Sequence, residues 1–283
     1  MIKTPNILVK SNHHDKPILT DVFYVKNNIK KPIIIFCHGY KGYKDWGAWN
    51  LAANEFVKND LFFVKFNFSH NGGTVENPID FPDLEAFGQN NFITELNDLE
   101  DIIEWLITNS DFKNEIDINN ISLIGHSRGG GIVTIKASEN KHISKVISWS
   151  GVSDFGARFP KEEELKFWKK VGVSFIENTR TKQKMPHYFQ FYTSFKEHEE
   201  RLTIKRAAST LKIPHLIIHG EEDIVVLPKE AKKLHTWSPK SELILIPEMN
   251  HPLGCTQPWE SDKMPTHLAE AVNLSVNFIL KNK

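Results

Sequence analysis

The chain has 283 residues, with Lys plus Arg equal to Asp plus Glu at 35 each, so its formal charge is zero. No global field then favours nucleic acid or an anionic membrane, and neither is expected as a partner. Hydrophobic residues make up 40%, including 19 Phe and 7 Trp, enough for a sizeable core, and the length suits a single α/β domain over 1–283 that carries an insertion.

The amino terminus, Met1 to Asn6, has no apolar core of signal-peptide length behind it, and no stretch approaches the ~18 apolar residues of a spanning helix. A cytoplasmic protein is the expectation. Cys37 and Cys255 form neither a metal-spaced pair nor a disulfide framework, so reduced thiols and no metal are expected.

Residues 6–10 and 17–26 read as two opening strands joined by a polar turn at Asn12 to Asp15, an antiparallel start. Pro32 to Cys37 is an unbroken apolar run, the signature of a strand covered on both faces in a parallel sheet. It exits into His38-Gly39-Tyr40, where glycine permits a tight turn with inward-facing amides. The Tyr40 amide is a candidate oxyanion donor, and His38 is expected to brace the loop. Asp45 is placed to cap a helix running to about Lys58. Leu61 to Phe68 is the next strand, and His70 in its glycine-rich exit reads as a solvated loop histidine. Residues 74–90 read as irregular.

A helix is expected from about Asn91 to Thr108, with Leu96, Leu99, Ile102, Ile103 and Leu106 at three- and four-residue spacing. Ile121 to Gly125 then runs as a strand into Gly125-His126-Ser127-Arg128-Gly129, a G-x-S-x-G elbow followed by a helix over 129–139. Glycines two positions either side of the serine leave room for a sharp strand-to-helix reversal. Ser127 would stand exposed at the sheet's carboxyl edge, and the Arg128 amide would point where an oxyanion forms. Lys145 to Gly151 gives another strand, and the alternation of strand and helix argues for right-handed crossovers.

The rhythm breaks over 155–208, a charged and aromatic stretch read as a helical lid insertion across the site opening. Most of its aromatic residues should pack it onto the body, while two or three reach the substrate. The alternation resumes with strands at Ile213 to Gly220 and Ser241 to Pro247 and helices at Pro228 to His235 and Thr266 to Leu280. No internal repeat interrupts it.

A serine needs a base within hydrogen-bond reach and a carboxylate to orient that base. Ser127, Asp223 and His251 each lie just beyond a strand end, on the one edge where parallel strands exit together. His215 and His219 sit in a strand and His235 in a helix, which leaves His267 as the rival base. Glu221, Glu222 and Asp154 are rival acids.

On these residues the chain resembles the α/β-hydrolases, from His38-Gly39 to the closing helix. His219-Gly220-Glu221-Glu222-Asp223 is similar to the family's acid loop and Asn250-His251 to its histidine loop. The resemblance implies a mostly parallel sheet of about eight strands flanked by helices, with Ser127 as nucleophile, His251 as general base and acid, and Asp223 as orienting carboxylate, the later of the loop's acids being the family's position. It also implies an oxyanion hole of the Tyr40 and Arg128 amides and no cofactor. A single H-G followed by an aromatic residue looks more like the cinnamoyl-esterase, dienelactone-hydrolase and dipeptidyl-peptidase-like branches than the H-G-G-G lipases. The expected activity is hydrolysis of a small, partly apolar or aromatic ester through an acyl-enzyme. Short peptides, thioesters and a non-catalytic receptor are the alternatives.

Overall fold

The computed structural model describes residues 1–281. Eight strands form one sheet: β1 (Ile2–Val9), β2 (Ile18–Tyr24), β3 (Lys31–Cys37), β4 (Phe62–Phe66), β5 (Ile116–His126), β6 (Ile143–Trp149), β9 (His215–Gly220) and β10 (Ser241–Ile246). Their spatial order is β1-β2-β4-β3-β5-β6-β9-β10. β2 pairs antiparallel with both β1 and β4, and every later pairing in the sheet is parallel.

Why the sheet is covered on both faces is written in β3. Along it Ile33, Ile35 and Cys37 point into one apolar core while Ile34 and Phe36 point into the other, as a period-two backbone requires. The first core is closed by α3 (Phe92–Thr108), α4 (Arg128–Glu139), α7 (Ile204–Thr210) and α8 (Pro228–Trp237). The second is closed by α1 (Trp49–Lys58) and α9 (Thr266–Leu280). α3 begins where expected because the Asn91 side chain accepts the Thr94 N–H at 2.9 Å, satisfying one orphan donor of the first turn.

One cap and two segments depart from the sequence expectations: Asp45 does not cap α1, which follows Ala48 with no side-chain cap, but pairs with Lys44 and Lys65. Residues 74–90 contain a short helix, α2 (Leu84–Gln89), capped by Asp83 accepting the Ala86 N–H. The insertion at 155–208 holds α5 (Glu162–Val171), α6 (Gln190–Glu197) and α7, but it is not purely helical. Between α5 and α6 lies an antiparallel hairpin, β7 (Val173–Glu177) with β8 (Lys184–Tyr188). The hairpin is tied to the body by the Arg180–Asp80 ion pair, by Gln183 Nε2 donating to Phe81 O at 3.0 Å, and by the Tyr188 hydroxyl donating to Glu85. These partners all come from 80–85, so α2 and the hairpin specify each other.

Candidate active site

β5 ends at His126 and α4 starts at Arg128, leaving Ser127 alone to make the reversal. Its φ is 56° and ψ is −119°, a region a non-glycine residue enters only when the surroundings hold it there. They do: its N–H donates to Trp149 O at 2.9 Å, and its carbonyl accepts from Gly130 and Val152. The flanking glycines are required by contact. A Cβ on Gly125 would lie 2.2 Å from Gly129 O, and one on Gly129 would lie 2.4 Å from Cys37 O.

Exits of β9 and β10 bring the other two groups to the serine. His251 Nε2 lies 3.0 Å from Ser127 Oγ, and His251 Nδ1 lies 2.8 Å from Asp223 Oδ2. The three predicted side chains therefore form one hydrogen-bonded line. Asp223 is fully buried, and its second oxygen accepts the Val225 and Val226 N–H groups at 2.9 and 2.8 Å. Burial alone would raise its carboxyl. The His251 hydrogen bond, helped by those two amides, outweighs burial and holds it below the ordinary carboxylate range. The rivals are placed elsewhere: Glu221, Glu222 and Asp154 are exposed, Asp154 accepts from the Ala157 N–H, and His267 belongs to α9.

Tyr40 and Arg128 both border the space in front of Ser127. Among the described residues neither amide donates to a protein acceptor, whereas the Gly42 and Gly130 amides beside them do. His38 braces the loop as expected, its Nδ1 donating to Gly39 O at 2.9 Å and its Nε2 accepting the Phe68 N–H at 3.2 Å. Burial pushes it down to about 4, so it stands neutral. His70 is not a solvated loop histidine. It is half-buried, bonded to Ser69 Oγ at 2.7 Å and edge-on to His14.

A model of the alpha/beta hydrolase fold family matches residues 88–254, more than half of the 283. The chain belongs to that family. Est1E from Butyrivibrio proteoclasticus, also solved with ferulic acid bound, superposes at a TM-score of 0.69 with 13% identity, covering 98% of both chains. A monoacylglycerol lipase from Paleococcus ferrophilus gives 0.64 at 15% identity over 93% of this chain and 98% of its own. A puromycin-hydrolyzing peptidase from Mycobacterium tuberculosis gives 0.63 at 14% identity over 96% of this chain and 38% of its own. At such identities the likeness speaks for the fold. Comparison with curated proteins finds none that matches.

In this alpha/beta hydrolase two lobes open beside Ser127. The larger, about 470 Å³, is walled mainly by aromatic and aliphatic side chains, among them Phe92, Phe155, Phe159, Trp168 and Phe191. The smaller, about 370 Å³, is bordered by Trp46, Trp49, Arg180 and Gln257. Of the insertion's aromatic residues, Phe155, Phe159, Trp168 and Phe191 line the larger lobe, more than the two or three expected, while Phe195 is buried in the core and Phe167 and Phe175 are exposed. His187 from β8 also lines it, with Nε2 2.7 Å from the Tyr40 hydroxyl, which links the hairpin to the Gly39-Tyr40 turn.

Two roles were not expected from the sequence. The Arg128 guanidinium lies 4.6 Å from the Tyr40 ring centroid and 5.2 Å from that of Phe92, and its Nη1 donates to buried Glu95 at 2.9 Å. It is thus part of the aromatic wall. His126 sits under the histidine loop, its Nε2 donating to His251 O at 3.0 Å. Burial first, then the neighbouring His251, pushes it down to about 3. Its place inside the elbow motif is the one signal that points to it. Among the described residues no cluster of His, Cys, Asp or Glu could hold a metal ion, and no helix is long and apolar enough to cross a membrane.

Proposed function

We propose that the chain is a serine hydrolase that cleaves a carboxylic ester of a small, partly apolar or aromatic acid through an acyl-enzyme. The observation that carries this reading is the line Ser127 Oγ, His251 Nε2, His251 Nδ1, Asp223 Oδ2, at 3.0 and 2.8 Å, facing an open cavity. In it Asp223 fixes the tautomer with the proton on Nδ1, so Nε2 is free to take the Ser127 proton as Oγ attacks the acyl carbon. The new C–O bond leaves negative charge on the carbonyl oxygen, which the Tyr40 and Arg128 amides receive. His251 then returns the proton to the departing alcohol. Water, deprotonated by His251, attacks the acyl-enzyme, and collapse of the second tetrahedral species frees the acid and Ser127.

Specificity resides in the wall, and residues 155–208 act as a lid that supplies much of it. An aromatic acyl group fits the larger lobe, in keeping with ferulic acid in the fold-related Est1E. A fluorophosphonate probe followed by peptide mapping tests the nucleophile, and Ser127 is the expected adduct. Turnover of p-nitrophenyl acetate against aminoacyl p-nitroanilides tests the bond. Faster cleavage of the anilides would replace the esterase reading with a peptidase one, and absence of both labelling and turnover would remove it.

A further inference from the structure

The walls of both lobes are electrically one-sided. Among the described residues Lys41, Arg128, Arg158 and Arg180 border them, and no Asp or Glu does. Three of these cations are engaged by acids behind the wall: Arg128 with Glu95 at 2.9 Å, Arg158 with Glu230 at 2.7 Å, and Arg180 with Asp80. Lys41 has no such acid. Among the described residues its ammonium forms no ion pair, and it lies 5.4 Å from the Tyr40 ring centroid. It also lines both lobes together with Ser127, Tyr40 and His251, so Lys41 borders the region the two lobes share.

Two further facts bear on that charge. Lys41 is half-buried, and loss of hydration lowers its pKa, the mark of a cation short of compensation. His187, deep in the larger lobe, is pushed down to about 3 by burial and then by the charges of Arg128 and Lys41. A partly desolvated ammonium without a counter-ion, beside an aromatic wall, suits a ligand carrying both an anionic and an apolar part.

We propose that the ester taken by this site carries a free carboxylate, paired with the Lys41 ammonium, while its apolar part lies on the aromatic wall of the larger lobe. This rests on the serine-hydrolase reading and names the substrate class within it: half-esters and other esters of carboxylate-bearing molecules. The pairing supplies affinity and discrimination and takes no part in bond cleavage.

Binding and turnover test it separately. Calorimetric titration compares 4-phenylbutyrate with the isosteric 4-phenylbutanamide. The wild-type protein should bind the carboxylate about tenfold or more tightly than the amide, Lys41→Met should erase the difference, and Lys41→Arg should keep most of it. Raising salt from about 20 to about 500 mM should shrink the difference in the wild type. Lys41→Gln gives a second readout if circular dichroism shows the Met variant misfolded. Equal affinities, no binding of the carboxylate, or a preference that survives both Lys41→Met and Lys41→Gln would overturn the proposal. In turnover, kcat/KM for monoethyl adipate over that for ethyl hexanoate should fall about tenfold or more on the same substitution. Fluorophosphonate labelling with neutral-ester turnover but no carboxylate preference sinks this inference alone. Carboxylate binding that depends on Lys41 without any labelling sinks the hydrolase reading alone.

Discussion

His126 Nε2 donates to the main-chain oxygen of His251 at 3.0 Å, so one histidine holds the loop that carries the other. Their rings stand 5.0 Å apart, and Trp49 closes the far side of His126 at 5.5 Å. Because His126 is pushed down to about 3, its proton inventory does not change across the working pH range. Replacing it with Phe keeps the packing and removes the donor. The expected result is a loss of about fivefold in kcat with KM nearly unchanged, since one net hydrogen bond is worth roughly 1 kcal/mol. His126→Gln, which retains an N–H, should recover part of the loss. Equal kcat in the wild type and the Phe variant would show that the loop needs no such tether.

Ser127→Ala should remove turnover by at least about 10⁴-fold while leaving thermal unfolding unchanged. Asp223→Asn should cost about 10³-fold or more, because an amide in place of the carboxylate no longer requires the proton on His251 Nδ1. The Val225 and Val226 amides now held by Asp223 Oδ1 can still be accepted by the Asn oxygen, so KM should move little. Activity within tenfold of wild type in Asp223→Asn, combined with loss in Asp154→Asn, would reassign the orienting acid.

The parts of the site legible in the sequence are those fixed by local geometry. Gly125 and Gly129 flank Ser127 because Cβ atoms there would collide with backbone, and that constraint shows as spacing. Asp223 and His251 are legible because parallel strands exit on one edge, so the first positions past β9 and β10 must converge. What stayed hidden depends on partners remote in sequence. The β7–β8 hairpin is held by Asp80, Phe81 and Glu85, about a hundred positions away, and neither segment shows a strong strand or helix signal by itself. In the motif only the amide of Arg128 carries a reading, and its side chain is fixed as wall material by Glu95 in α3.

Acid should destabilise the fold well above the carboxylate range. His38, His126 and His215 are buried and pushed down from 6.5 to about 4, 3 and 3, in each case by burial first. In the unfolded chain these rings protonate near 6.5, so between about pH 6 and pH 4 these three alone give the unfolded state up to three more protons than the native state, and His70, His187 and His219, also pushed down by burial first, add to the excess. Stability therefore falls as pH falls, His38, His126 and His215 together contributing up to about 4 kcal/mol per pH unit in that window. His14 runs the other way: its hydrogen bond to Asp98 raises it, so its contribution is present below 6.5 and lost as pH rises through its folded value, outside this window. Asp223, held low, adds its loss only further down. Urea midpoints measured from pH 7 to 4.5 should drop steeply, and His215→Gln should reduce the slope by one proton. A flat profile would mean that these rings are charged in the native state.

Gly125→Ala should damage the elbow even though the change is a single methyl group. Its Cβ would lie 2.2 Å from Gly129 O and 2.7 Å from Gly130 N, both backbone atoms at the start of α4, so no rotamer change can relieve the contact. Either α4 shifts away from β5 or the turn opens, and both move Ser127 off the line to His251. The expected cost is more than about 3 kcal/mol, a fall of roughly 6 °C or more in Tm for a chain of this size. Fluorophosphonate labelling should fall further than stability does, because the Ser127 φ of 56° is sustained only while its N–H meets Trp149 O and its carbonyl meets Gly130 and Val152. A variant with wild-type Tm and wild-type labelling would mean that the strand and helix approach each other less closely than 2.2 Å requires.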